Sequence, residues 1–190
     1  MRERIGCLIK TYGLFVCLFV IQKPLFMLFY NALYADCPWA DWLRVIWYGL
    51  PLDLCVAGYL TVLPGFLLVV SAWTQARWLR MVWQIYLWVV SLLLGVVFVT
   101  DLVLYEYWGF RLDTTPFFYF FSSPKVAVAS TNGWMAALGF LLMAVTAVLI
   151  YILLYVVTYR PLDRLKVPFR RVRVSMVMLF LTVCLFVPIR

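Results

Sequence analysis

Apolar residues fill five long runs of the chain, at about 8–34, 45–73, 81–104, 134–159 and 174–189, and polar residues gather in the segments between them. A bilayer core takes about 20 consecutive apolar residues per helix. The pattern therefore predicts an all-α membrane protein with five transmembrane helices. The first run is too long for a signal peptide, and no A-x-A-like site comes after it, so it reads as a span. The fifth run stops with the chain, and the chain is expected to be the front part of something longer.

One long segment does not fit a span. Residues 105–132 form a loop between helices three and four, rich in rings and carrying charges. Phe117-Phe118-Tyr119-Phe120-Phe121 is too short an apolar run to cross a membrane and is expected to lie in the interface, its rings at headgroup level. Pro116 can open one short helix there. Ser123 as cap with Pro124 at the first helical position can open a second. Gly109 and Gly133 are expected at turns.

Orientation comes from lysine and arginine. Arg2, Arg4 and Lys10, then Arg77 and Arg80, then Arg160, Arg164, Lys166, Arg170, Arg171 and Arg173 fall on one side; Arg44, Arg111, Lys125 and Arg190 fall on the other. Cytoplasmic segments carry the excess of such residues, which puts the N-terminus in, the C-terminus out and the 105–132 loop outside. Tyr34, Trp39, Trp42, Trp47 and Tyr48 would line the outer interface, and Trp73, Trp78 and Tyr159 the inner one.

Two ionisable residues lie well inside runs: Lys23 in the first and Asp53 in the second. At about 1.5 Å per residue, Lys23 climbs roughly 22 Å from the inner side and Asp53 descends roughly 12 Å from the outer side. In a core about 30 Å thick these depths match. A lone charge there costs about 2.5–3.5 kcal/mol or more, so an ion pair between helices one and two is expected. Snorkelling of Lys23 to the headgroups and a contact with substrate are the alternatives.

Composition agrees with a membrane location: 67% of the residues are hydrophobic and 13% charged, against about 45–50% and about 25% in soluble domains. The net charge of +8 does not point to nucleic acid, because the positive residues cluster at the ends of apolar runs. Histidine, the commonest general base and metal ligand, is absent. Cys7, Cys17, Cys37, Cys55 and Cys184 form no C-x-x-C pair and read as small apolar residues. No metal site, catalytic dyad or Gly-rich phosphate loop is visible. Asp101 at the outer end of helix three, and Glu106, Asp113 and Trp108 in the loop, read as interfacial supports. Arg111 is the best candidate for a lipid phosphate, since its planar fork binds one bidentately, with Lys125 beside it as a second contact.

Gly-Leu-Pro-Leu-Asp-Leu at 49–54, Tyr-Trp-Gly-Phe-Arg-Leu-Asp at 107–113, Ser-Pro-Lys-Val-Ala-Val-Ala-Ser at 123–130 and a last helix ending Pro-Ile-Arg occur in that order. In this the chain resembles the N-terminal membrane domain of the lipoteichoic-acid-synthase-like phosphoglycerol transferases, in particular sulfatase-like members from Bacteroidetes. The resemblance implies five transmembrane helices in a bacterial cytoplasmic membrane. An extracytoplasmic domain of sulfatase/alkaline-phosphatase fold would come after residue 190. That domain would carry a divalent metal ion such as manganese and a threonine nucleophile, and would move a phosphoglycerol-type group from a membrane lipid to an acceptor. For this chain it implies no cofactor of its own. Its role would be to anchor the enzyme and to position anionic phospholipid beneath the catalytic domain. A phosphoethanolamine transferase has a similar plan. A small transporter or channel subunit, or a scaffold that binds a partner protein, are the readings outside this class.

Overall fold

The computed structural model describes residues 1–113, 115, 118, 122, 133–160, 168 and 170–185. Every regular element among them is helical. Helix α1 covers Arg2–Phe29, α2 Asn31–Tyr34, α3 Trp39–Val70, α4 Arg77–Trp108 and α5 Gly133–Leu154; a π-helical turn, Tyr155–Tyr159, continues α5, and α6 covers Arg171–Cys184. Four helical stretches are long and apolar enough to cross a membrane: Arg2–Phe29, Trp39–Val70, Arg77–Glu106 and Ala136–Tyr159. Helix α6 has 14 residues, about 21 Å at 1.5 Å per residue, and the end of the fifth predicted span, 186–189, lies outside the described residues.

The helices differ from the apolar runs at their ends. Helix α1 stops at Phe29, and Tyr30 leaves helical geometry before the single turn of α2. Helix α3 begins at Trp39, well before the apolar run. Pro38 stands just ahead of it in extended conformation, φ −66° and ψ 153°. The Arg44 guanidinium donates to Asp41 at 2.9 Å across the first turn, so Arg44 is a helical residue rather than a loop one. Helix α4 runs on through Trp108, into the predicted loop. It ends where Gly109 takes φ +68°, a left-handed conformation that costs glycine little, and donates its N–H to the Tyr105 carbonyl. The interfacial helix pair expected over 116–132 falls almost wholly outside the described residues.

The chain forms two compact units, Met1–Leu87 with Leu153–Arg190, and Trp88–Ile152. In the first, Phe15, Leu68, Trp83, Leu87, Leu154 and Met178 are fully buried. Apolar side chains such as Ile21, Leu25, Leu28, Leu63 and Phe66 are exposed along α1 and α3, which suits helices surrounded by lipid. The buried threonine hydroxyls are satisfied within their own helices. Thr11, Thr61, Thr158 and Thr182 each donate to the carbonyl four residues back, at 2.6–2.8 Å. Pro64 has no N–H for the Leu60 carbonyl, and the Tyr86 hydroxyl donates to that oxygen instead.

Helix α6 docks on α3 at two glycines spaced by seven, so that both lie on one face. A Cβ on Gly58 would stand 2.8 Å from the Leu185 carbonyl oxygen, and one on Gly65 would stand 2.5 Å from Thr182 Oγ1. Such small positions let helix backbones approach where lipid offers no hydrophobic drive for association. In the second unit, a Cβ on Gly95 would stand 2.9 Å from the Ala147 backbone nitrogen, and Trp88 stacks on Tyr151 with centroids 4.3 Å apart. Among the described residues only Ser91 Oγ is buried without a hydrogen-bond partner, and nothing in the structure explains it.

Gly65→Leu should overpack the α3–α6 contact and lower stability by about 1–3 kcal/mol. Gly139→Leu, at a position with nothing within 4 Å of the new Cβ, should leave it unchanged. Unfolding of both variants in detergent micelles checks this, and equal stability would remove the steric role given to Gly65.

Candidate functional site

Lys23 and Asp53 meet between α1 and α3. The Lys23 ammonium donates to Asp53 Oδ2, and the two side chains are only 12% and 9% exposed. One turn before Asp53, on the same face, Gly49 receives the lysine stem. A Cβ there would collide with Lys23 Cε. Both unusual residues of the 49–54 segment thus serve one side chain: the glycine admits its methylenes and the aspartate takes its charge. Both charges are nearly buried between the two helices, so each is the other's compensation.

The second pair closes the end of α4. After Gly109 the chain turns back, and Arg111 reaches Asp101 on the helix. Its Nε lies 3.2 Å from Asp101 Oδ2, and its Nη2 also donates to Oδ2. The Leu112 N–H donates to the other carboxylate oxygen, Oδ1, at 2.9 Å. Asp101 is 5% exposed and Arg111 45%. One buried carboxylate therefore gathers a guanidinium fork and a backbone donor, the strong form of hydrogen bond. It fixes the first residues after the helix. Asp113 continues the turn, accepting from the Thr115 N–H at 2.8 Å and its hydroxyl at 2.9 Å, the local pattern of an Asx turn.

Of the side chains singled out in the sequence, Lys23 and Asp53 are together, and Asp101 and Arg111 are together. Arg111 was assigned to a lipid phosphate. In the structure its fork engages Asp101, and the side chain is 45% exposed. Glu106 and Asp113 are exposed. Lys125 and the side chain of Trp108 lie outside the described residues.

A third tie was missed. Arg4 enters the sequence reading only as a topology charge on the inner side, yet it is 3% exposed. Its Nε donates to Ser71 Oγ at 3.2 Å and its Nη2 to the Ser71 carbonyl at 3.1 Å. Ser71 is the C-cap of α3, where a cation both binds unsatisfied carbonyls and suits the negative end of the helix dipole. Nearby, the Cys7 thiol donates to the Thr158 carbonyl at 3.6 Å, and the Trp83 indole N–H lies 3.4 Å from Thr158 Oγ1. No periodicity or spacing in the sequence marks these long-range contacts.

No family model matches the chain, and neither does any curated protein or solved structure.

Leaving either Lys23 or Asp53 unpaired, by Asp53→Leu or Lys23→Met, should cost about 2.5–3.5 kcal/mol of stability in a membrane-like medium. The double variant should recover most of it. A double-mutant cycle in micelles measures this, and strictly additive losses would show that the pair is not coupled. Asp101→Ala should speed amide hydrogen exchange at Leu112 by about tenfold or more, as befits loss of a charge-assisted bond worth about 1.5–3 kcal/mol. Unchanged exchange would show that Asp101 does not hold the turn.

Proposed function

We propose that this chain is the membrane-anchoring and lipid-substrate-positioning domain of a phosphoglycerol transferase of the lipoteichoic-acid-synthase-like kind. In this reading it has five transmembrane helices in a bacterial cytoplasmic membrane, with the N-terminus in and the C-terminus out. It is not catalytic by itself. A sulfatase-type domain after residue 190 would hold a divalent, manganese-like metal ion and the nucleophile. A phosphoethanolamine transferase is the alternative within the same class.

The observation that carries the reading is where the resembling segments lie. Segment 49–54 supplies the glycine and the carboxylate that receive Lys23. Segment 107–113 supplies the glycine turn and the arginine that close on Asp101. The residues that carry the likeness are thus used to hold helices and a turn in place, which is the task of an anchor and a platform. The Arg111 side chain is 45% exposed while its fork is tied down. A phosphate would find it already oriented, and binding would lose little side-chain entropy. Lys125 adds a second positive charge to the same loop, and Glu106, Asp113 and Trp108 support the loop at the interface.

The test uses the full-length gene product in vesicles containing phosphatidylglycerol, with release of diacylglycerol as the readout. The wild type should release it in the presence of manganese. Arg111→Ala combined with Lys125→Ala should lower turnover at limiting lipid by about tenfold or more, because each lost charge-assisted contact is worth about 1.5–3 kcal/mol. Absence of any group transfer by the full-length protein would sink the enzyme reading. Normal turnover by the double variant would reduce the loop to a structural element.

A further inference from the structure

A cleft of about 690 Å³ opens at the start of α1, lined by Arg2, Glu3, Gly6, Cys7, Lys10, Val156 and Arg160. We infer that it is a binding site for the phosphate of an anionic phospholipid headgroup. The inference goes beyond the function proposed above, since none of these residues is used there.

The cleft is built by the fold on both sides. Arg2, Gly6 and Lys10 recur every four residues and so share one face of α1. The facing wall comes from the π-helical turn. There the Arg160 N–H bonds to the Tyr155 carbonyl, five residues back. This wider turn takes the end of the helix out of its α-helical register, and Val156 and Arg160 both line the cleft. The walls are held together beneath it. The Cys7 thiol donates to the Thr158 carbonyl, Thr158 Oγ1 donates to the Leu154 carbonyl, and Arg4 ties the same turn of α1 to the end of α3. Between the walls, Gly6 keeps the space open. Nothing lies within 4 Å of where its Cβ would be.

The lining selects the ligand. Among the described residues, Arg2, Lys10 and Arg160 share the lining with one carboxylate, Glu3, and none of the three cations is held in an ion pair. The excess positive charge suits a phosphate, and Glu3 leaves an acceptor for a headgroup hydroxyl. The volume falls within the range of about 300–1,000 Å³ usual for small-ligand sites. Beside the cations, Ile9 and Val156 present exposed apolar surface. A soluble phosphate ester has no use for that surface, whereas acyl chains do. The cleft also lies at the end of a span-length helix, where a headgroup would sit. Basic pockets between helices at that level are suited to anionic headgroups.

The protein, purified as the full chain in non-ionic detergent, is examined by native mass spectrometry with phosphatidylglycerol, phosphatidylcholine and glycerol 3-phosphate as probes. One phosphatidylglycerol should be retained in preference to phosphatidylcholine. Arg2→Gln with Lys10→Gln and Arg160→Gln should weaken retention by about tenfold to a hundredfold, as expected for a few basic residues at a membrane surface. Gly6→Leu keeps every charge but fills the cleft, and should weaken it comparably. Gly13→Leu, also on α1 with open space at its Cβ but outside the cleft, should not. Equal retention of both lipids, or a charge variant that binds like the wild type, overturns the site. So does a folded Gly6→Leu protein with normal retention. If Gly6→Leu fails to fold, the charge variant decides. Competition by glycerol 3-phosphate at the same concentrations as the lipid would show that the ligand is a soluble phosphate ester, and would overturn the assignment to a headgroup.

Discussion

A polar group among apolar helices in lipid has no water to bind, so it must find its partner within the protein. Several of the described hydrogen bonds and ion pairs follow from that constraint. Four threonines return their hydroxyls to their own helices. Pro64 removes one backbone donor, and Tyr86 from another helix replaces it. Lys23, too deep to remain solvated at no cost, is met by Asp53. Each solution joins particular residues, and the joins between helices also set how those helices pack.

Packing supplies the other half. Without a hydrophobic drive between helices, close contact has to come from shape. Gly58 and Gly65 admit the backbone and side chains of α6, and Gly49 admits the stem of Lys23. The same residue type serves a different purpose at Gly109, where the backbone conformation rather than the space requires it. At Gly6 it leaves a gap in the wall of a basic cleft. Gly49, Gly58, Gly65 and Gly95 therefore mark places where a neighbouring group must fit.

The charged residues divide by what they touch. Asp53, Asp101 and Arg4 are nearly or fully buried and carry structure. Arg111 is tied to Asp101 although its side chain is 45% exposed. Arg2, Lys10 and Arg160 line open space. A charge count along the chain treats all of these as equivalent. Their environments, set by which helices meet, separate them.

Helix content, the length of the spans and the need for a Lys23 partner were legible in the sequence, because each depends on composition over one stretch and on the cost of a charge in lipid. The matched depths of Lys23 and Asp53 even pointed to the pair, since rise per residue converts position into height. Helix ends were less legible. Apolar runs report the hydrocarbon thickness, whereas helices α3 and α4 continue past it through capping and turn geometry at Pro38 and Gly109. Depth also says nothing about azimuth. That Arg4 turns to Ser71 rather than to solvent, that Arg111 folds back onto Asp101, and that Arg2, Lys10 and Arg160 converge on one cleft all depend on rotation and contact between segments far apart in the chain. The sequence by itself determined a bundle of apolar helices with a buried charge to neutralise. Only the tertiary structure decided which polar groups became ties and which were left lining an open cleft, because pairing is a property of distance between helices and not of order along them.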